Sequence, residues 1–223
     1  MHIVRYRDLT PSPWRNGGGV TREIVRQPAA GRFRWRLSVA EVGESGPFSE
    51  FAGYRRIMLL LEGRGVRLHF GDGTARALRT PGEMLEFSGT IATVGELIDG
   101  PCVDLNLIIE ETLAVPQVEV VELEAGAPLR LRRVGAGMAE TAGGPSLVVV
   151  LRGAAALVPA QEGRGPLELG RWDTALIEAQ ERETVVAAGL GHGAERAAAA
   201  AAKASAPEAP GALVFIARLG AGS

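Results

Sequence analysis

Two segments of this chain carry arginine, serine, aspartate and asparagine at alternate positions, a combination suited to holding an anion. In "RFRWRLSVAEV" (32–42), Arg36 and Ser38 fall on one side of an extended strand, with Trp35, Leu37 and Val39 on the other. In "CVDLNLI" (102–108), Cys102, Asp104 and Asn106 share a side, opposite Val103, Leu105 and Leu107. A guanidinium is permanently charged and offers a planar fork of donors that matches a carboxylate. An arginine turned inward must therefore meet a protein acid or an anionic ligand. The candidate protein partners are Glu23, Glu41, Glu62 and Asp104. A structural ion network and a ligand site both satisfy this requirement. The neutral hydrogen-bonding groups Ser38, Ser49 and Asn106 weigh toward the ligand site.

A third segment, "PWRNGGGVTRE" (13–23), sets three glycines between an Arg-Asn pair and a Thr-Arg-Glu triplet. A phosphate loop would need a lysine after the glycines and a helix following, and a dinucleotide fingerprint would need a strand before and a helix after. Neither pattern is present. The glycines instead allow tight turning and close backbone approach, presenting Arg15, Asn16, Arg22 and Glu23.

Other chemistries find little support. Cys102 is the single cysteine, so no internal disulfide or thiolate zinc site is expected, and no histidine lies near it to activate the thiol. Of the three histidines, His2 is terminal, His192 lies among glycines, and His69 alternates with Arg67 and reads as solvent-facing or as a satisfied barrel residue. Glu110 and Glu111 read as solvated edge residues, and no G-x-S-x-G elbow occurs. The net charge of −2 comes without a run of basic residues, so neither nucleic acid nor an anionic membrane is expected as a partner. No stretch approaches roughly 18 apolar residues, and the opening "MHIVRYRDLT" lacks the apolar region of a signal peptide. A cytoplasmic protein is expected.

Strands must position these residues. Short alternating segments recur with turns every eight to twelve residues, the pattern of an all-β sandwich or barrel. "VTREIVRQ" (20–27) and 32–42 read as a hairpin. A repeat is visible: "MLLLEGRGVRLHF" (58–70) recurs as "VVVLRGAAALVP" (148–159), with Gly63 matching Gly153. "CVDLNLIIE" closes the first copy and "ALVFIARL" (212–219) the second. The expected domains are 1–112 and 113–223. The alanine-rich segment 194–212 reads as an inserted surface loop.

In order, "PWRNGGGVTREI", "FRWRLSVAEV", "GPFSEFAGYRR", "LLEGRG" and "DGPCVDLN" resemble the HutD/Ves family, over residues 9 to about 109; the second half matches more loosely. The resemblance implies an all-β fold of two tandem cupin-like jelly-roll barrels, an RmlC-like bicupin. It also implies a link to bacterial histidine-utilisation operons, whose output such proteins restrain without known enzymatic activity. Laid on the first cupin motif from Gly43 to Gly63, the metal-ligand positions fall on Ser49, Phe51 and Arg56. The second motif's histidine position falls on Leu85. In the second half the corresponding positions are Ala139, Thr141 and Ser146, leaving Asp173 alone as a candidate ligand. These residues lack the combination of imidazole and carboxylate that such metals require, so neither metal nor cofactor is expected.

The resulting expectation is a non-enzymatic protein that senses or sequesters a small carboxylate. The family resemblance implies a histidine-breakdown compound: urocanate, formylglutamate or formate. Arg15, Arg36 and Arg56 would recognise the anion. Asn16, Ser38, Ser49, Asp104 and Asn106 would orient it or the arginines, and Glu23 and Glu41 would neutralise the arginines. The alternative is a metal-free hydrolase or isomerase using Glu23, Glu41 or Asp104 as base. Cupin relatives make a homodimer an expectation, although no segment here specifies an interface.

Overall fold

The computed structural model describes residues 1–124, 128–131, 144–158, 165–178, 184–188 and 211–220; for 128–131 and 184–188 the backbone alone is described. The described residues form strands and one 3-10 turn at Tyr6–Asp8, with no α-helix. The protein is all-β. Residues 194–210 of the alanine-rich segment, with His192, Ala139 and Thr141, lie outside the described residues, and Ala212 opens a strand.

The chain divides into two compact units: Asp8–Leu113, and Met1–Arg7 together with Ala114–Ser223. The expected boundary at 112/113 kept residues 1–7 with the first half. Instead β1 (His2–Val4) pairs with a strand of the second unit, through His2 opposite Leu176 and Val4 opposite Thr174. Met1 and Ile3 pack on that unit's apolar cluster, which gives this short segment its burial.

In the first unit the strands are β2 (Ser12–Pro13), β3 (Gly19–Ala29), β4 (Arg32–Val42), β5 (Gly46–Pro47), β6 (Tyr54–Glu62), β7 (Val66–Phe70), β8 (Ala75–Leu78), β9 (Met84–Ser88), β10 (Thr93–Leu97) and β11 (Cys102–Glu110). They build one sheet in the order β2-β3-β4-β11-β6-β9 and a second in the order β5-β10-β7-β8. The anticipated hairpin is β3–β4, the most extensive strand pair in the unit. Ala40, Val42, Met58, Leu60 and Cys102 of the larger sheet pack with Val66, Leu68 and Leu78 of the smaller. Apolar side chains between two pleated faces are what this alternation produces.

The second unit repeats the plan with β12 (Gln117–Leu123), β13 (Pro128–Leu131), β14 (Ser146–Arg152), β15 (Ala155–Val158), β16 (Leu167–Leu169), β17 (Thr174–Ile177), β18 (Thr184–Ala188) and β19 (Ala212–Arg218). Its sheets run β1-β17-β14-β19-β12 and β13-β18-β15-β16. The repeat read from sequence thus reappears as strand order: β6, β11 and β4 correspond to β14, β19 and β12. Gly63 and Gly153 both have positive φ, +98° and +76°. An added Cβ would lie 2.6 Å from the Pro101 carbonyl in one case and 2.8 Å from that of Gly211 in the other. Only glycine fits either turn. Each unit is a two-sheet sandwich, and among the described residues no sheet closes on itself as a barrel.

Candidate functional site

The central strands of the six-stranded sheet bring the candidate residues together through their register. Across β4, β11 and β6, Arg36, Ile108 and Arg56 form one row; Ser38, Asn106 and Met58 the next; Ala40, Asp104 and Leu60 the third. Side chains in these rows point to the same face because the pleat has period two. On β3, Glu23 lies opposite Ser38 and Arg26 opposite Arg36, with a register shift between Glu23 and Val25. That bulge turns residues three apart toward one face, and Glu23 and Arg26 join in a bidentate pair at 2.5 and 2.7 Å.

This face lines a cavity of about 800 Å³. Arg36, Ser38, Arg56, Asp104 and Asn106 line its inner part; Arg15, Asn16, Ser49 and Glu23 line it nearer the surface. The glycine loop belongs here as a turn at the mouth. Asn16 Oδ1 accepts from the Gly18 amide at 3.1 Å, and the Gly17 amide donates to the Trp14 carbonyl at 3.0 Å. Trp14 is fixed as wall: its Nε1 donates to Thr21 Oγ1 at 2.8 Å, and its ring stands edge-on to Phe48.

The charged groups grow less solvated toward the floor. Arg56 is 5% exposed and Asp104 fully buried. Arg56 Nη2 donates to Asn106 Oδ1 at 2.8 Å, and Asn106 Nδ2 donates in turn to Asp104 Oδ1. Burial lowers the Arg56 guanidinium to about 10, against the attraction of Asp104 and with repulsion from Arg36 adding to the fall. Burial pushes the Asp104 carboxyl up to about 7, opposed by Arg56 and by the Asn106 hydrogen bond. Arg36 is also lowered, by burial first, with Glu23 opposing and Arg26 adding. Arg36 Nε, Arg56 Nε and Asp104 Oδ2 are buried without a hydrogen-bond partner.

Aromatic faces hold the two arginines in place. The Arg56 guanidinium lies 5.0 Å from the Phe87 ring centroid, 5.4 Å from Phe48 and 5.7 Å from Phe51. Arg36 lies 5.1 Å from Phe51 and 5.5 Å from Phe33. Ring faces attract a cation without neutralising it.

One candidate is misplaced. Glu41 follows Trp35, Leu37 and Val39 onto the opposite face of β4, where it pairs with Arg22. It cannot neutralise Arg36 or Arg56, and Arg22 does not line the cavity. Sequence reasoning missed Arg26, because the bulge hides it from simple alternation. It also gave no role to the rings of Phe33 and Phe87, whose contact with the arginines comes from packing. The positions matching cupin metal ligands in the first motif, Ser49, Phe51 and Arg56, all line the cavity. Among the described residues no group of three His, Cys, Asp or Glu could hold a metal. His69 pairs at the surface with Glu96 at 2.8 Å. Burial, followed by the charge of Asp104, pushes the Cys102 thiol up to about 12, far from a nucleophile's range.

Among the described residues of the second unit, the equivalent positions carry other side chains. By register, Arg56, Asn106 and Asp104 correspond to Ser146, Ile216 and Val214, and Ile108 to Arg218. Arg218 is paired with Glu119 at 2.7 Å, at the position matching Ser38. Asp173 accepts from Arg5 at 2.7 Å and from the Tyr6 and Gly170 amides at 3.0 Å, a structural knot within that unit.

Comparison with known proteins matches residues 6–194 to the HutD family. Over 110 residues the chain is 43% identical to an uncharacterized 21.2 kDa protein in the hutC 3′ region of Pseudomonas putida, covering 48% of this chain and 57% of that protein. It is 36% identical over 110 residues to protein Ves of Escherichia fergusonii, covering 47% and 57%. The match therefore spans little more than half the length of these relatives. Over the whole fold it is similar to HutD from Pseudomonas fluorescens SBW25, solved in a formate condition, with 26% identity, TM-score 0.69 and coverage of 96% and 97%. A conserved protein of unknown function from Pseudomonas aeruginosa PAO1 gives 28%, 0.76, 99% and 98%. A cupin 2 conserved barrel domain protein from Leptotrichia buccalis, 13% identical with TM-score 0.59 over 98% and 96%, shares the fold. No helix of the described residues is long and apolar enough to cross a membrane. With an all-β, cupin-like fold and a match over most of its length, this chain belongs to the HutD family.

Proposed function

We propose that this protein binds a small carboxylate in the cavity of its first unit, without chemical turnover, and acts in histidine utilisation. The observation that carries this is the pair Arg36 and Arg56. Both are cationic and held by ring faces, both have a buried Nε–H without a partner, and they flank one row of a cavity that also offers Ser38 and Asn106. A structural ion network would close such forks on acids, as Arg26 closes on Glu23. The formate condition of the Pseudomonas fluorescens relative and the hutC-region setting of the Pseudomonas putida relative support the same reading. Urocanate, formylglutamate and formate are the candidate ligands. The two sandwiches are read as the tandem barrels of a bicupin, in a cytoplasmic protein that forms a homodimer.

A hydrolase or isomerase would need a base facing the ligand. Glu23 is committed to Arg26, Glu41 lies on the other face, and Asp104 is fully buried and held by Asn106. Binding alone fits these placements better. The test is thermal unfolding of wild type and Arg36→Ala with each candidate compound. Ligand at about 100 times its dissociation constant stabilises by about 2.7 kcal/mol. The expected result is a shift with at least one carboxylate that Arg36→Ala loses. No shift with any of them would sink the proposal.

A further inference from the structure

The cavity floor contains an arrangement that a simple anion pocket does not need. Arg56, which is to receive an external carboxylate, is already linked through Asn106 to an internal one. Arg56 Nη2 donates to Asn106 Oδ1, and Asn106 Nδ2 donates to Asp104 Oδ1. The amide is thereby oriented with its oxygen toward the cation and its nitrogen toward the acid. Asp104 has no exposure, and its Oδ2 is buried without a partner. Asp104 borders the cavity without solvent-accessible surface, and a ligand on Arg56 acts on it through charge and through the Arg56–Asn106 link.

We propose that Asp104 is the internal counter-ion of Arg56, and that a bound carboxylate takes over this role while Asp104 takes up one proton on Oδ2. The inference rests on the carboxylate-binding reading above. Without ligand, a negative Asp104 balances Arg56 in a medium of low dielectric, where such attraction is strong. A carboxylate on Arg56 supplies a second negative charge and withdraws part of that attraction. Two anions then share one buried cation, and the cheaper state has a proton on one of them. The external carboxylate keeps its charge because it sits on the arginine fork; the buried Asp104 accepts the proton from solvent. No bond other than O–H is made.

The groups facing Asp104 allow this assignment. On its own strand are Asn106 and Cys102, whose thiol stays protonated with its value near 12. From β4 come Ala40, Ser38 and Arg36, and from β6 come Leu60, Met58 and Arg56. From β3 come Thr21, Glu23 and Arg26, the last two paired, and from the mouth Arg15. Among the described residues no histidine lines the cavity. Asp104, whose carboxyl burial already holds near 7, is the group there that can change charge close to neutrality.

The experiment is calorimetric titration of the full chain with N-formylglutamate and with formate, neither of which titrates between about pH 6 and pH 8. Each is run in two buffers of different ionisation enthalpy. Wild type should bind about tenfold more weakly at pH 8 than at pH 6 and take up most of one proton per site at pH 8. Asp104→Asn, close in shape, should show less than a twofold change over the same range and no proton uptake. The proton count comes from wild type, so it decides the matter even if the variant folds poorly. Binding with a flat pH profile and no proton uptake overturns this inference and leaves the carboxylate reading standing. No binding of either compound at any pH overturns both.

Discussion

Arg56 and Asp104 face the same cavity from adjacent strands and are joined through Asn106, whose amide accepts from the guanidinium and donates to the carboxyl. A cation, an amide and an acid thus lie in sequence on the floor of the site. Their energetics depend on whether the acid carries its proton.

The first consequence is a pH-dependent stability. The Asp104 carboxyl, near 7 in the fold, lies above the unfolded aspartate range of about 3.9. Its contribution to stability is fully present below about pH 4 and is lost as pH rises through about 7. Inside that window wild type should lose up to about 1.4 kcal/mol per pH unit relative to Asp104→Asn. Chemical denaturation of both proteins at pH 5 and pH 8 measures it, and parallel profiles would contradict it.

Arg56→Met should cost different amounts on the two sides of neutrality. Where Asp104 is protonated, an apolar side chain of similar volume is tolerated and should cost less than about 1 kcal/mol. Where Asp104 ionises, the variant leaves a buried charge uncompensated, and the cost should rise to about 3 kcal/mol. The comparison is the unfolding free energy at pH 5 and at pH 8. Equal costs would mean that the arginine does not support the acid.

Cys102 should resist thiol reagents. Its side chain is buried and its thiol is held near 12. At pH 8 the native protein should react with an aromatic disulfide at least a hundredfold more slowly than the unfolded chain. Comparable rates would show that this end of β11 opens readily.

The second unit should be silent in ligand binding. Arg218→Met breaks the Arg218–Glu119 pair and should leave the wild-type thermal shift with N-formylglutamate unchanged. That pair is partly exposed, so its loss should cost less than about 1 kcal/mol. Loss of the shift in Arg218→Met, with the fold intact, would place ligand in that unit.

The strands were readable because Trp35, Leu37 and Val39, or Cys102, Asp104 and Asn106, obey a period of two that needs no knowledge of neighbours. The same period assigns Glu41 to the face of Trp35, so enlisting it beside Arg36 set aside its own alternation. The shared orientation of Glu23 and the unforeseen Arg26 was beyond reach for another reason. Their common orientation depends on a bulge at Ile24, and a bulge arises from pairing with β4. The burial of Asp104 likewise comes from what packs on the sheet, so a carboxyl near 7 could not be read from "CVDLN". Residues 1–7 were misassigned because their partners lie about 170 positions away.

That last pairing concerns the order in which the chain is made. His2 meets Leu176, so synthesis must proceed through all of Asp8–Leu113 and most of the second unit before β1 finds its neighbour. At ribosomal speeds of roughly 5–20 residues per second, the wait is on the order of 10–35 s. The first unit can complete its sheets in that interval, carrying an unpaired strand edge that invites other chains. A nascent chain stalled before residue 174 should therefore hold the formed cavity of its first unit and an orphan strand. Late translation of β17 supplies the partner that β1 lacks.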